Sequence, residues 1–230
     1  MDNLNIINLC LDKGVHYKVS VYQKNYDKDN VYFDMSIKCK TDIVNKKMRL
    51  YEVQRNKEFL IGQYADSEFG QLAFYIVVYS YFNQDKPSNS VRKMLRNTGE
   101  DVNKANKILE DHIGKNYFSL YRKEIGKINI DKINDDRCDV FYLSLENNII
   151  PIVRNKRLPS AFVIIYNYGF YLKQFDSLMK KIISHYNLKL KKEETEELKR
   201  LYLKKMSNDN FVLPKTIYIK HLNKILDCES

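Results

Sequence analysis

Tryptophan is absent from these 230 residues, and glycine (7), proline (4) and cysteine (4) are scarce. So little Gly and Pro excludes long flexible linkers and low-complexity tracts. Cys10, Cys39, Cys138 and Cys228 lie far apart in sequence. Zinc sites use close Cys/His pairs so that local chain can wrap the ion, and disulfide frameworks belong to smaller, Cys-dense secreted chains. The four are read as reduced thiols of a cytosolic protein, with no metal and no cofactor expected. The familiar phosphate cradles (G-x-G-x-x-G, GxxxxGK[ST]), the G-x-S-x-G elbow and H-E-x-x-H are all missing. His16, His112, His185 and His221 are isolated in sequence. Enzymes are therefore disfavoured, and no catalytic residue is assigned. The opening "MDNLNIINLCLDKG" lacks a basic n-region and a small-residue cleavage site, so no signal peptide is expected.

What is present is a composition of 44% hydrophobic and 30% charged residues, that of a soluble globular protein. The length accommodates one large domain or two small ones, burying roughly 70% of the unfolded surface. Lys, Asn, Ile and Tyr are abundant, which reads as an AT-rich coding bias and weakens arguments from Lys or Tyr counts alone. The formal net charge of +10 is uneven. Residues 1–82 carry 11 bases against 10 acids, residues 83–137 carry 12 against 9, and residues 138–230 carry 16 against 10. The basic excess sits in the C-terminal part.

Along the chain, "DNLNIINLCLDKG" reads as a short helix ended by Gly14. Segments 15–23 and 31–39 then alternate apolar and polar residues with the period of half-buried strands, and 48–54 and 58–64, flanking the polar turn "RNK", read as a second hairpin. Short polar turns join them, which predicts an antiparallel meander with one face covered. The apolar run "ADSEFGQLAFYIVVYSYF" (65–82) follows. A membrane span needs about 20 apolar residues, and Asp66, Glu68 and Gln71 cut this run short, so no membrane span is expected. Asp66 or Ser67 can cap a helix, and Phe69, Leu72 and Ile76 share one face as core residues.

The arrangement is echoed further on. Segments 139–145 and 149–153 read as a hairpin, "RNKRLP" as a polar loop, and 160–186 as an apolar helix capped by Ser160. At a spacing of 93, Ser67, Phe69, Tyr75 and Phe82 align with Ser160, Phe162, Tyr168 and Phe175. Between the two units, 83–90 is a candidate linker, and 91–99, 101–114 and 118–126 read as short helices ended near glycines. Residues 192–206 form a helix with acids first and bases last, and 213–227 closes the chain as a helix or strand. The fold class is α+β: antiparallel hairpins packed against helices, a hairpin–helix pseudo-repeat and a helical C-terminal part. The organisation is 1–82, a helical connector 83–137, and a basic 138–230, which can equally be one continuous domain.

Two sets of charged residues invite a chemical reading. Asp34, Glu52 and Lys57 resemble a fragment of a metal-nuclease site, but strand alternation places the two acids on the solvated face of the meander. Lys189, Lys191, Lys192, Lys199, Arg200, Lys204 and Lys205 can neutralise phosphates. Glu193, Glu194, Glu196 and Glu197 interrupt them, as on a solvated helix. Tyr186 and Tyr202, candidates for base stacking, lie on core-facing stripes.

The stretch "RLYEVQRNKEFLIGQYADSEFGQLAFYIVVYSYF" (49–82), a polar-turn hairpin followed by a D-S-E cap and an aromatic helix, resembles the small α+β immunity proteins of bacterial polymorphic toxin systems. The resemblance implies a non-enzymatic cytoplasmic protein that neutralises a cognate toxin by direct binding. The basic charge departs from immunity proteins that mimic nucleic acid, and implies an acidic or apolar toxin surface. The interface is expected on the exposed side of the meander, at Tyr22, Tyr32, Tyr51 and Arg55. The alternative is a nucleic-acid-binding or replication-associated protein using the basic C-terminal set.

Overall fold

The computed structural model describes residues 17–19, 35–42, 45–54, 57–65, 67–82 and 85–204. The expected helix at the start, the expected segment 213–227 and Asp34 lie outside them. The architecture is α+β. Strands β1 (Tyr17–Val19), β2 (Met35–Asp42), β3 (Lys47–Gln54) and β4 (Lys57–Ala65) form one sheet in that order, each pair antiparallel. This is the meander expected from the alternation. Helix α1 (Glu68–Phe82) follows directly. Helices α2 (Asn89–Arg96) and α3 (Val102–His112) lead into a second sheet, ordered β5 (Phe118–Ser119), β6 (Ile128–Lys132), β7 (Arg137–Leu143) and β8 (Ile149–Arg157). There β5 runs parallel to β6 and the other pairs are antiparallel. The long helix α4 (Leu158–Tyr186) and helix α5 (Lys192–Lys204) complete the described chain.

The register explains which residues turn inward. Ile37 pairs with Glu52, and Cys39 with Leu50, so these side chains share the face that α1 covers. Ile37, Cys39, Met48 and Leu50 are buried there. Helix α1 meets the sheet on one side and α4 and α5 on others, which is why every residue from Leu72 to Val78 is buried. A helix enclosed on all sides has no polar face to show, so β-branched and aromatic content does not make it a strand. Its start is tight: a methyl group at Gly70 would run into the backbone oxygen of Ala65, so the strand-to-helix corner requires glycine. Ser67 Oγ accepts from Gly70 N–H at 3.4 Å, the capping role expected of it.

The hairpin-then-apolar-helix order recurs in β7–β8–α4, with two departures from expectation. No polar loop separates β8 from α4: the strand runs to Arg157 and the helix begins at Leu158. Ser160 is consequently an exposed residue inside the first turn, not the cap. Arg157 occupies the cap position with no side-chain bond, Pro159 stands at the start of the helix where its missing N–H costs nothing, and Leu158 N–H donates to Asp136 O. Gly169 lies mid-helix because Ile113 packs where its side chain would be.

The second departure is 118–126, which is not a helix. Phe118 and Ser119 pair with β6, and the chain then loops. The cause is Asn129, fully buried on β6. Its side chain accepts from Glu124 N–H (2.7 Å) and donates to Glu124 O (3.0 Å) and Lys127 O (2.7 Å). These bonds satisfy backbone groups that a helix would otherwise satisfy within itself. Glu124 is further tied to Lys127, Arg122 and Ser119, which together lower its carboxyl to about 2.

Two hydrophobic clusters result, and α4 belongs to both. Its first part, through Phe162, Ile165 and Leu172, packs with α2, α3 and the second sheet. Its second part, through Phe175, Met179 and Ile182, packs with α1, α5 and the first sheet. Tyr171 touches both. The elements within 83–137 thus contribute to the second core alongside β7, β8 and α4.

Candidate functional site

Helix α5 carries two adjacent glutamates that reach opposite sheets. Glu196 accepts from the hydroxyl of Tyr142 on β7 at 3.0 and 3.1 Å and from Leu145 N–H at 3.3 Å. Lys199 donates to it at 3.0 Å. Glu197 accepts from Tyr64 on β4 at 2.9 Å and holds the Arg200 guanidinium at 2.7 Å. Tyr142 is 1% exposed and Glu196 is 9% exposed, so the contact between them is closed to solvent. Asp176 on α4 lies beside it. Burial pushes its carboxyl up, against the opposing pull of Lys199, Lys180 and a hydrogen bond from Tyr117. Burial and Glu196 likewise push the Tyr142 phenol up. These groups are spent on one another; they join α5 to both sheets.

This changes the C-terminal basic set. Lys199 and Arg200 are half-buried and neutralised by Glu196 and Glu197 one turn earlier. Lys189, Lys191 and Lys192 are exposed. Lys189 borders a groove of about 340 Å³ floored by Phe69, Leu72 and Leu190, but Glu68 and Glu194 share its rim. Such a rim offers an anion no net attraction. The side chains of Lys204 and Lys205 lie outside the described residues. Tyr202 is buried as expected, while Tyr186 is 41% exposed and leaves the core-facing stripe.

Glu52 also differs from expectation. Its register with Ile37 turns it to the helix-covered face, where Tyr81 Oη donates to it at 2.8 Å. It is half-buried and bonded, not on the solvated face. Among the described residues no group of three or more His, Cys, Asp or Glu could hold a metal ion. Cys39 and Cys138 are buried thiols, and burial pushes Cys138 up to about 11, which leaves it unreactive. No helix among the described residues is long and apolar enough to cross a membrane.

Among the described residues, what remains open is the outer face of the first sheet. Tyr51 pairs with Leu60, and Arg49 with Gln63 and Lys40, on the side away from α1. Leu60 is 56% exposed and Tyr51 is half-buried. The Lys40 ammonium sits 4.9 Å from the Tyr51 ring centre and is held by Glu58 at 2.6 Å. Arg49, exposed, donates to Gln63 at 3.0 Å. The second sheet is built differently. Its outer face, at Asn129 and Phe141, is roofed by the 120–127 loop, with the Lys123 ammonium 5.7 Å from the Phe141 ring centre. Among the described residues no helix packs on the outer face of the first sheet. Of the expected interface residues, Tyr51 is on this face; Tyr22, Tyr32 and Arg55 lie outside the described residues. Leu60, which the sequence reading missed, is its most exposed apolar group; an apolar residue directly across from Tyr51 was the available signal.

No protein-family model, curated protein or solved structure matches the chain.

Proposed function

We propose that this is a non-enzymatic protein-binding module that docks a partner on the outer face of its first sheet, as an immunity protein docks its cognate toxin in the cytoplasm. The observation that carries this reading is the Tyr51–Leu60 pair on the outer face, with Leu60 56% exposed and Tyr51 half-buried beneath the Lys40 ammonium, beside Arg49 and Glu58. Binding surfaces of this kind place aromatic and apolar groups centrally within a polar, arginine-containing rim. The non-enzymatic part is supported by the carboxylates. Glu52, Glu196 and Glu197 are each engaged by a tyrosine hydroxyl. The basic rim favours an acidic partner. A nucleic-acid interface at the C-terminal part has less support, because Lys199 and Arg200 are already paired.

Co-expression with the product of the adjacent gene, followed by copurification, tests the proposal. A toxic neighbour should be neutralised and retained in a stable complex. Leu60→Asp should release it while leaving the circular dichroism spectrum and thermal unfolding unchanged. A folded Leu60→Asp variant that still retains the partner refutes docking at this face. Anisotropy with a single-stranded oligonucleotide at low salt decides the nucleic-acid reading, since phosphate attraction is strongest there.

A further inference from the structure

The second half of α4 carries one sign of charge on its exposed side. Residues 173–192 contain six lysines (Lys173, Lys180, Lys181, Lys189, Lys191 and Lys192) and one acid, Asp176. Lys173, Ser177, Lys180 and Ser184 recur every three or four residues, so they share one helix face, and Lys181 borders it. All five are exposed. The apolar face lies on the other side, where Phe175, Met179 and Ile182 fill the core. Asp176 does little to offset the lysines. It is half-buried, takes a hydrogen bond from Tyr117, and is shared between Lys199 and Lys180. Among the described residues no carboxylate forms an ion pair with Lys181, Lys189, Lys191 or Lys192, all of them exposed. A helix C-terminus favours cations, but that attraction fades beyond the last turn. Lys173, Lys180 and Lys181 stand before it, so the helix dipole does not account for them.

The last turn of α4 adds aromatic surface. Tyr186 continues the stripe of Phe175, Met179 and Ile182, but α4 outruns the core there and the ring is 41% exposed. His185, also exposed, meets it edge to face with ring centres 4.5 Å apart. Asn187 then ends the helix in a left-handed cap, with φ 50°. We infer that this end of α4, with the link to α5, binds a single-stranded nucleic acid. Lys180, Lys181, Lys189 and Lys191 neutralise phosphates, and His185 and Tyr186 stack with unpaired bases. The paired Lys199 and Arg200 on α5 take no part, and nothing in this surface depends on the outer face of the first sheet. Other anions use less of it. A helix lying on a membrane sinks its apolar face into the lipid, and here that face is spent on the core. A duplex hides its base faces inside the stack, and an acidic peptide has no bases to lay on the exposed rings.

The test titrates the full chain into a fluorescein-labelled oligothymidylate, read by anisotropy between about 50 and 200 mM salt. With about four phosphates neutralised at a slope of about −0.7 each, affinity should fall about 50-fold across that range. Lys180→Gln combined with Lys181→Gln removes two of those contacts. It should halve the slope and weaken low-salt binding at least fivefold. Lys104→Gln combined with Lys107→Gln, exposed on α3 and equal in charge lost, should change affinity less than twofold. Tyr186→Ala should weaken binding about tenfold with the slope unchanged, because stacking releases no counterions. Tyr186→Leu, which keeps apolar bulk against the core, should lose as much. Binding absent at the low-salt end, equal losses from the α3 pair, a duplex held as tightly, or full affinity in both Tyr186 variants overturns the assignment. So does equal affinity for phosphatidylserine vesicles or for an oligo-aspartate peptide, which would hand the lysines to a membrane or an acidic protein. Leu60→Asp should keep full affinity for the oligonucleotide; a loss there would move the strand to the first sheet and overturn the assignment as well.

Discussion

Replacing Glu196 by Ala removes the acceptor for three donors at once: the Tyr142 hydroxyl, Leu145 N–H and the Lys199 ammonium. Tyr142 is 1% exposed, so water cannot take the place of the carboxylate there. Breaking a buried charged network by removing one member costs about 3 kcal/mol. Tyr142→Phe should cost less. It deletes a hydrogen bond to a charged group, worth about 1.5–3 kcal/mol, but Glu196 keeps Lys199 and Leu145 N–H, so about 1.5 kcal/mol is expected. The double variant should then cost about 3 kcal/mol, close to Glu196→Ala alone, because the hydroxyl has no acceptor to lose. The coupling energy is therefore about 1.5 kcal/mol. Equilibrium urea unfolding followed by circular dichroism measures all three. Additive costs, with coupling below about 0.3 kcal/mol, would mean that the two side chains do not meet and that α5 is not tied to the second sheet.

Ile76 is fully buried between the first sheet and the other helices, so Ile76→Asp should cost more than about 4 kcal/mol and abolish cooperative unfolding by circular dichroism. Asn129→Ala strips three hydrogen bonds from the 124–127 turn and should cost about 3 kcal/mol, with amide exchange accelerating first at 120–127. The Asp176 carboxyl is raised in the folded protein, so the native state holds its proton more tightly than the unfolded chain and stability falls as pH rises through the carboxylate range. Asp176→Asn should therefore stabilise at pH 7 and lose that advantage below the ordinary carboxylate value, as read from urea midpoints across pH. Glu124 is the opposite case: held at about 2, it contributes stability at neutral pH that is lost as pH falls from 4.5 through 2, so the destabilisation by Glu124→Gln should vanish at the acid end.

Local patterns explain what could be read in advance. The alternation in 31–39 and the polar turn between 48–54 and 58–64 point to the meander, and a period of two fixes the side that Ile37 and Cys39 take. Asp101 at the start of α3 accepts from Lys104 N–H, and Gly99 and Gly114 have positive φ where helices were expected to end. What escaped reading depends on distant partners. Residues 118–126 carry helical periodicity, but Asn129 competes for their backbone. β6 showed its signal in Ile128 and Ile130, and the turn-rich residues around it obscured it. Glu196 and Glu197 look like solvated helix acids, since nothing local reveals that tyrosines 54 and 133 residues away face them. Leu60 reads as core by its apolar neighbours, and only its place on the face away from α1 leaves it exposed.

The 29 residues of α4 make a rod about 43 Å long at 1.5 Å per residue. One half is wall to each hydrophobic cluster, so neither cluster can lose its half without the other end of the same rod feeling it. A fragment ending at residue 82 would lack Phe175, Met179, Ile182 and Tyr202, and α1 would show bare hydrocarbon to water. Cutting the chain in two should yield insoluble pieces, and melting should travel along the rod as a single event.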